Sequence, residues 1–151
     1  MSKKKIILGL NAFHADTSAA ILVDNEIVAA VEEERFNRQK HWSGFPLESI
    51  KFCLEKSKIK FNEVTDITIN SNQFSNLDKK IYYSLINFKF ENLSKFIKRN
   101  KNKFLIKNLI DYNFGKKNNY RFHRIDHHLS HLASAFYPSG YDKALGLSID
   151  G

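Results

Sequence analysis

Apolar and polar positions follow a short period through the first third of the chain and then change to a helical one. Lys5 to Asn11 and Ser18 to Asp24 are apolar runs of strand length, and Glu26 to Glu33 alternates into a charged end. Runs of this length, bounded by polar residues, predict strands. The Asp24-Asn25 link between the second and third predicts a tight hairpin, because Asp and Asn tolerate positive φ. Together the three segments read as a meander. Pro46 then precedes LESIKFCLEKSKI, where Leu47, Ile50, Phe52, Cys53 and Leu54 suit an amphipathic helix and the proline suits its start. Asp66 to Asn70 alternates like a fourth strand, and Tyr120 to Ile125 like a fifth. Asp126 is a natural N-cap for a helix over His127 to Phe136, which Pro138 and Gly140 end. Ala144 to Ile149 reads as one more strand.

Between Ser71 and Tyr120 the text changes to Lys, Asn, Phe and Ile, with apolar residues at helical intervals. One to three inserted amphipathic helices are expected there. The resulting order is three strands, helix, strand, helical insert, strand, helix, strand. It predicts an α/β layer of the ribonuclease-H type, in which a hairpin meander precedes crossover units. A last strand with no turn or helix after it points to a second lobe absent from the chain. The expected division is a first lobe over 1–142, with a basic helical insertion at 71–120, and the first strand of an incomplete second lobe at 143–151.

Composition changes this picture little. A length of 151 residues suits about one domain, and 42% apolar with 26% charged residues is ordinary for a soluble globular protein. Cys53 is the only cysteine, so no disulfide forms within one chain, as suits a reducing compartment. The basic N-terminus lacks a signal peptide's cleavage site, and no apolar run reaches the ~20 residues that span a bilayer. A cytoplasmic protein with no membrane partner is expected.

The net charge of +8 is local. Twelve of the 24 Lys and Arg fall between Ser71 and Arg121, with only three of the 16 Asp and Glu. Such a stretch can dock RNA or another anionic partner. A solvated, lysine-rich helical face explains it without any ligand, so nucleic acid is not the expected partner.

Three polar clusters could carry chemistry. In DHHLSHLASAF, His127 and His131 are four apart and share one helix face, where they can hold one metal ion, while His128 points about 100° away. The plainer reading is a pair that caps and packs the first turn. Asp150, at the end of the apolar run ALGLSID, is a candidate third ligand, or simply a turn residue of an Asp-Gly pair. In NAFHADTSAA, the turn holding Asn11, His14, Asp16, Thr17 and Ser18 can bind phosphate, and His14 can move protons; a polar hairpin turn would look the same. In EEERFNRQKHWSGFP, Arg35, Arg38, Lys40 and His41 could clamp an anion or could form a salt-bridged loop. Cys53 falls on the apolar face of its helix and reads as a structural thiol.

Taken together, ILGLNAFHADTSAAILVDNEIVAAVEEERFNRQKHWSGFP and DHHLSHLASAFYPSGYDKALGLSIDG resemble the NodU/CmcH family of carbamoyltransferases. These stretches make up about the first third and the last sixth of the chain. The resemblance implies a ribonuclease-H-like lobe of the actin-like ATPase fold and a metal-dependent transfer of carbamoyl from carbamoyl-adenylate to a hydroxyl of a small-molecule acceptor. ATP and carbamoyl phosphate are the implied co-substrates, consumed on a C-terminal YrdC-like domain. The same resemblance makes His127, His131 and Asp150 ligands of an iron-type divalent metal. His14 becomes the catalytic residue, and Asn11 and Lys40 would bind substrate. One departure is that Ala15 separates His14 from Asp16, where many members have the acidic residue directly after the histidine or after Gly. The implied second lobe and YrdC-like domain are not in these 151 residues, so the expectation is an N-terminal fragment inactive alone. A non-catalytic metal- or nucleotide-binding remnant or subunit, and an RNA-binding module, are the alternatives.

Overall fold

The computed structural model describes residues 4–70, 106–115 and 119–149. Strands β1 (Ile6–Asn11), β2 (Ser18–Val23) and β3 (Glu26–Glu32) form the expected antiparallel meander. Asp24 and Asn25 have φ of 49° and 73°, the pair of positive values that a type I′ hairpin turn requires. Lys5 N–H, just before β1, donates to the Asp24 carboxylate at 2.8 Å and ties the turn to the neighbouring strand. Strand β4 (Asp66–Ile69) lies parallel to β1, and β5 (Arg121–Arg124) parallel to β4, giving one sheet of order β3-β2-β1-β4-β5.

Alternation along the strands divides the sheet into two faces. Ile6, Leu8 and Leu10 of β1, Ala19 and Ile21 of β2, and Ile67 and Ile69 of β4 are all buried on one side. Helix α2 (Leu47–Ser57) covers that face with Ile50 and Cys53, and helix α3 (Ile106–Phe114) covers it with Ile106 and Ile110. The Cys53 thiol lies 3.5 Å from the Ala19 carbonyl, and burial pushes it up to about 11, so thiolate is scarce at neutral pH. The structural reading of that residue therefore stands. Gly9, Ala20 and Thr68 line the opposite face; a Cβ on Gly9 would sit 3.5 Å from the Thr68 hydroxyl.

A four-residue helix, α1 (Glu34–Asn37), interrupts the predicted polar loop after β3. It ends where Arg38 turns left-handed at φ 60°. Helix α4 (His127–Phe136) starts at Asp126, whose carboxylate accepts from His128 N–H as expected of an N-cap. A 3-10 turn over Tyr137–Ser139 and Gly140 at φ 73° end it. Of the inserted helices expected at 71–120, α3 is described; residues 71–105 lie outside the described residues.

One expectation fails. Residues 144–149 are not a strand, and the Leu145, Leu147 and Ile149 side chains are exposed. A strand persists only where a neighbour takes up its N–H and C=O groups, and none among the described residues pairs with this run. The segment instead lies along α4. Gly146 approaches Leu132 so closely that a Cβ would meet its Cδ2 at 2.7 Å, and the Ser148 hydroxyl is 3.0 Å from His128 Nδ1.

Candidate active site at the carboxyl ends of the parallel strands

β1, β4 and β5 run in the same direction, so whatever follows each of them is delivered to one edge of the sheet. After β1 comes the turn with His14, after β4 comes Asn70, and after β5 come Asp126 and α4. This is the edge at which α/β sheets bind ligands. Residues more than a hundred positions apart in the chain meet there.

His14 and His127 stand with ring centroids 5.5 Å apart. His127 in turn faces His131, with their Nε2 atoms 3.1 Å apart. Two imidazole nitrogens each about 2.0–2.1 Å from a shared ion are separated by about 2.8–3.4 Å, depending on the angle at the metal. The pair thus has the spacing of two ligands of one ion. A single N–H···N hydrogen bond in one tautomer fits the same distance. Among the described residues no group of three His, Cys, Asp or Glu side chains is disposed to hold a metal ion. Asp150, the expected third ligand, lies outside the described residues. His128 contacts the edge of the His127 ring at 5.9 Å and turns its Nδ1 to Ser148, so it stands apart from the pair as helical geometry requires.

The turn that presents His14 is built by its neighbours. Asn11 donates both amide hydrogens within it, to the carbonyls of Ala15 at 3.1 Å and Asp16 at 2.9 Å, and its Oδ1 accepts from Asn70 at 3.2 Å. The side chain expected to bind substrate is thus engaged in shaping the turn. Phe13 and Asp16 take φ of 56° and 59°, conformations that these contacts hold in place.

The loop carrying Lys40 is fastened to this turn. Phe13 N–H donates to the Gly44 carbonyl at 2.9 Å, and Thr17 N–H to the Trp42 carbonyl at 3.0 Å. The buried Thr17 hydroxyl lies within reach of the carbonyls of both His14 and Gly44. At Gly44 a Cβ would meet the Trp42 ring at 2.6 Å, so only glycine lets the indole fold over the backbone. His41 Nδ1 approaches the Asp16 carboxylate at 2.9 Å. The hydrogen bond to Asp16, and then its charge, raise the His41 pKa above the ordinary 6.5. Lys40 is exposed beside His41 and shares its attachment to the His14 turn.

Two features escaped the sequence reading. Glu33 is 5% exposed, and its carboxylate accepts from Glu48 N–H, Ser49 N–H and the Ser49 hydroxyl at 2.7–3.1 Å. It caps α2 from the end of β3 and so closes the base of the Lys40 loop. The second is a buried carboxylate, Asp66, which binds Arg121 and His123 across β4 and β5. Neither has a local signal, because the partners are separated by 16 and by more than 50 residues.

Beside these groups, a cavity of about 650 Å³ opens on the sheet face opposite α2. Asn11, Ser18, Thr68, Asn70 and Ser130 give it polar walls, and Glu32 and Arg35 lie at its β3 side. That size suits a small-molecule ligand.

The carbamoyltransferase N-terminus family matches residues 6–151, nearly the whole chain. The chain belongs to that family. Nodulation protein NolNO of Sinorhizobium fredii is 34% identical over 149 residues, covering 93% of this chain and 20% of that protein. The uncharacterized protein sll1178 of Synechocystis is 32% identical over 155 residues, which is 96% of this chain and 25% of that protein. The uncharacterized protein MJ1051 of Methanocaldococcus jannaschii is 30% identical over 146 residues, or 97% and 22%. The chain therefore spans about a quarter or less of the length of these relatives. Among its described residues, no helix is long and apolar enough to cross a membrane.

Proposed function

We propose that this chain is the first, ribonuclease-H-like lobe of an ATP-dependent O-carbamoyltransferase with the actin-like ATPase fold. In this reading 1–142 form the lobe and 143–151 lead into a second one. The activity passes carbamoyl from carbamoyl-adenylate to a hydroxyl of a small-molecule acceptor, breaking the bond from the carbamoyl carbon to the phosphate oxygen and releasing AMP. A YrdC-like domain would make the adenylate from ATP and carbamoyl phosphate. The observation that carries the reading is the meeting of His14 with the His127–His131 pair at the carboxyl edge of the sheet. Family membership supplies the chemistry that such a site would serve.

His127, His131 and Asp150 would hold an iron-type divalent ion, and the 3.1 Å spacing of the two imidazoles fits that use. Such an ion, when bound, supplies Lewis acidity toward the donor's carbonyl. His14 accepts the proton of the attacking hydroxyl, for which a ring at the rim of the metal pair is well placed. Lys40 offsets the negative charge that develops on the carbamoyl oxygen. Asn11 acts through the turn, by fixing the direction of His14.

The test is carbamoyl transfer by the full-length protein, supplied with ATP, carbamoyl phosphate and a panel of sugars and hydroxylated antibiotic precursors. Transfer that needs both co-substrates and falls at least a hundredfold in His14→Ala is expected, in line with the usual worth of a general base. Absence of transfer across the whole panel would overturn the reading.

A further inference from the structure

The metal pair hangs on the least secured strand of the sheet. β5 is four residues long, lies at the sheet's edge and pairs only with β4 among the described strands. α4 follows it after two residues, so any slip of β5 along β4 carries His127 and His131 with it. One residue of slip is about 3.3 Å. That is comparable with the whole separation of the two Nε2 atoms.

Strand register is ordinarily fixed by the match of apolar side chains to the core. The sequence of β5, Arg-Phe-His-Arg, holds one apolar residue, Phe122. A two-residue slip would keep the same faces in and out, so alternation alone does not fix the register, and on the core side only Phe122 and the preceding Tyr120 resist it. What does distinguish the observed register is Asp66. Its carboxylate is 5% exposed and faces β5 from the start of β4. Arg121 lies directly opposite it and binds in bidentate fashion, Nε to Oδ1 at 2.9 Å and an amino nitrogen to Oδ2 at 3.1 Å. His123, two residues on and on the same face, reaches Oδ1 with Nε2 at 2.7 Å. The Thr65 hydroxyl stands 2.8 Å from Oδ2. A bidentate guanidinium and an imidazole on one carboxylate can be satisfied in a single register.

We infer that Asp66 pins the register of β5 through Arg121 and His123, and that it is thereby a positioning residue for the His127–His131 metal pair, which it does not touch. The second half rests on the metal reading proposed above. The first half does not.

Arg121 and His123 are the better sites to change, since their side chains are 72% and 43% exposed and neither belongs to the apolar core. The experiment compares the full-length protein with its Arg121→Ala/His123→Ala variant by hydrogen exchange and by titration with Co²⁺, whose visible absorption reports imidazole ligation. Peptides spanning 121–126 should exchange about tenfold faster in the variant, with α2 unchanged. Co²⁺ affinity should fall about tenfold, the lower end of what loss of a ligand's supporting contacts usually costs. Unchanged exchange at 121–126 would overturn the register pin. Faster exchange with unchanged Co²⁺ affinity would overturn the positioning role. His127→Ala/His131→Ala serves as the reference: if the wild type and this variant take up Co²⁺ alike, the metal reading fails, and exchange still decides the register.

Discussion

Glu33 shows how much one side chain can hold. Its carboxylate satisfies two N–H groups at the start of α2 and the Ser49 hydroxyl, while its own N–H donates to Thr17. Replacing it with Ala leaves those buried donors without an acceptor. Glu33→Ala should therefore cost about 2–3 kcal/mol, and Glu33→Gln, which keeps one acceptor oxygen, about 1 kcal/mol. Urea midpoints of the three proteins measure this directly; a Gln variant as unstable as the Ala variant would contradict it. Asp66 makes a prediction in pH. Burial by itself would push its carboxyl up, but the hydrogen bonds from Arg121, His123 and Thr65 outweigh it and hold the group at about 2, below the ordinary 3.8. A carboxyl whose folded pKa is depressed stabilises the fold above its unfolded pKa, and that contribution disappears as pH falls through the folded one. The stability gap between the wild type and Asp66→Asn should thus be full at pH 5 and shrink by about 1–2 kcal/mol toward pH 2. A gap that stays constant over that range would show that the carboxylate's charge is not what is used.

At the scale of elements, the strands, the hairpin turn and α2 and α4 were legible because each depends on neighbours in sequence. Asp24-Asn25 has its own conformational preference, and Asp126 caps the helix that begins one residue later. The HxxxH spacing likewise places His127 and His131 on one face before any tertiary contact exists. What was not legible depended on partners far along the chain: Glu33 with Ser49, Asp66 with Arg121, and the folding of the Lys40 loop onto the His14 turn. The apolar run 144–149 misled for the same reason, since its pattern is that of a strand and its state depends on a partner. The two loops offer a test of their coupling. His41 and Asp16 are exposed, so their bond has little weight in stability. It does report whether the loops are apposed. Because the Asp16 hydrogen bond is the main cause of the raised His41 pKa, Asp16→Asn should return it toward 6.5. An NMR titration of the His41 ring reads the change, and an unaltered titration would mean that the two loops stand apart in solution.

At the scale of the whole molecule, and among the described residues, more than half of the exposed large apolar side chains fall at the C-terminal side. Leu129, Tyr137, Tyr141, Leu145, Leu147 and Ile149 are all exposed, whereas the face of the sheet under α2 and α3 is closed. The segment from 137 to 149 and α4 enclose a groove of about 900 Å³ between them. Soluble proteins rarely expose a continuous apolar surface of this kind, and this one lies against α4, which carries His127 and His131. Water in such a groove gains by exchange for an apolar solute, so the 151-residue chain by itself should bind the dye ANS and raise its fluorescence. The dye has a second apolar surface to choose from, Ile27 and Val28 on β3. Leu145→Lys/Leu147→Lys places charge in the groove and leaves β3 alone, so it should lower the dye signal by at least about half while the far-ultraviolet circular dichroism stays unchanged. If the dye signal survives that change and falls instead in Ile27→Lys/Val28→Lys, the outer edge of the meander is the sticky surface. The groove beside α4 would then be closed in solution by movement of its own 144–149 segment.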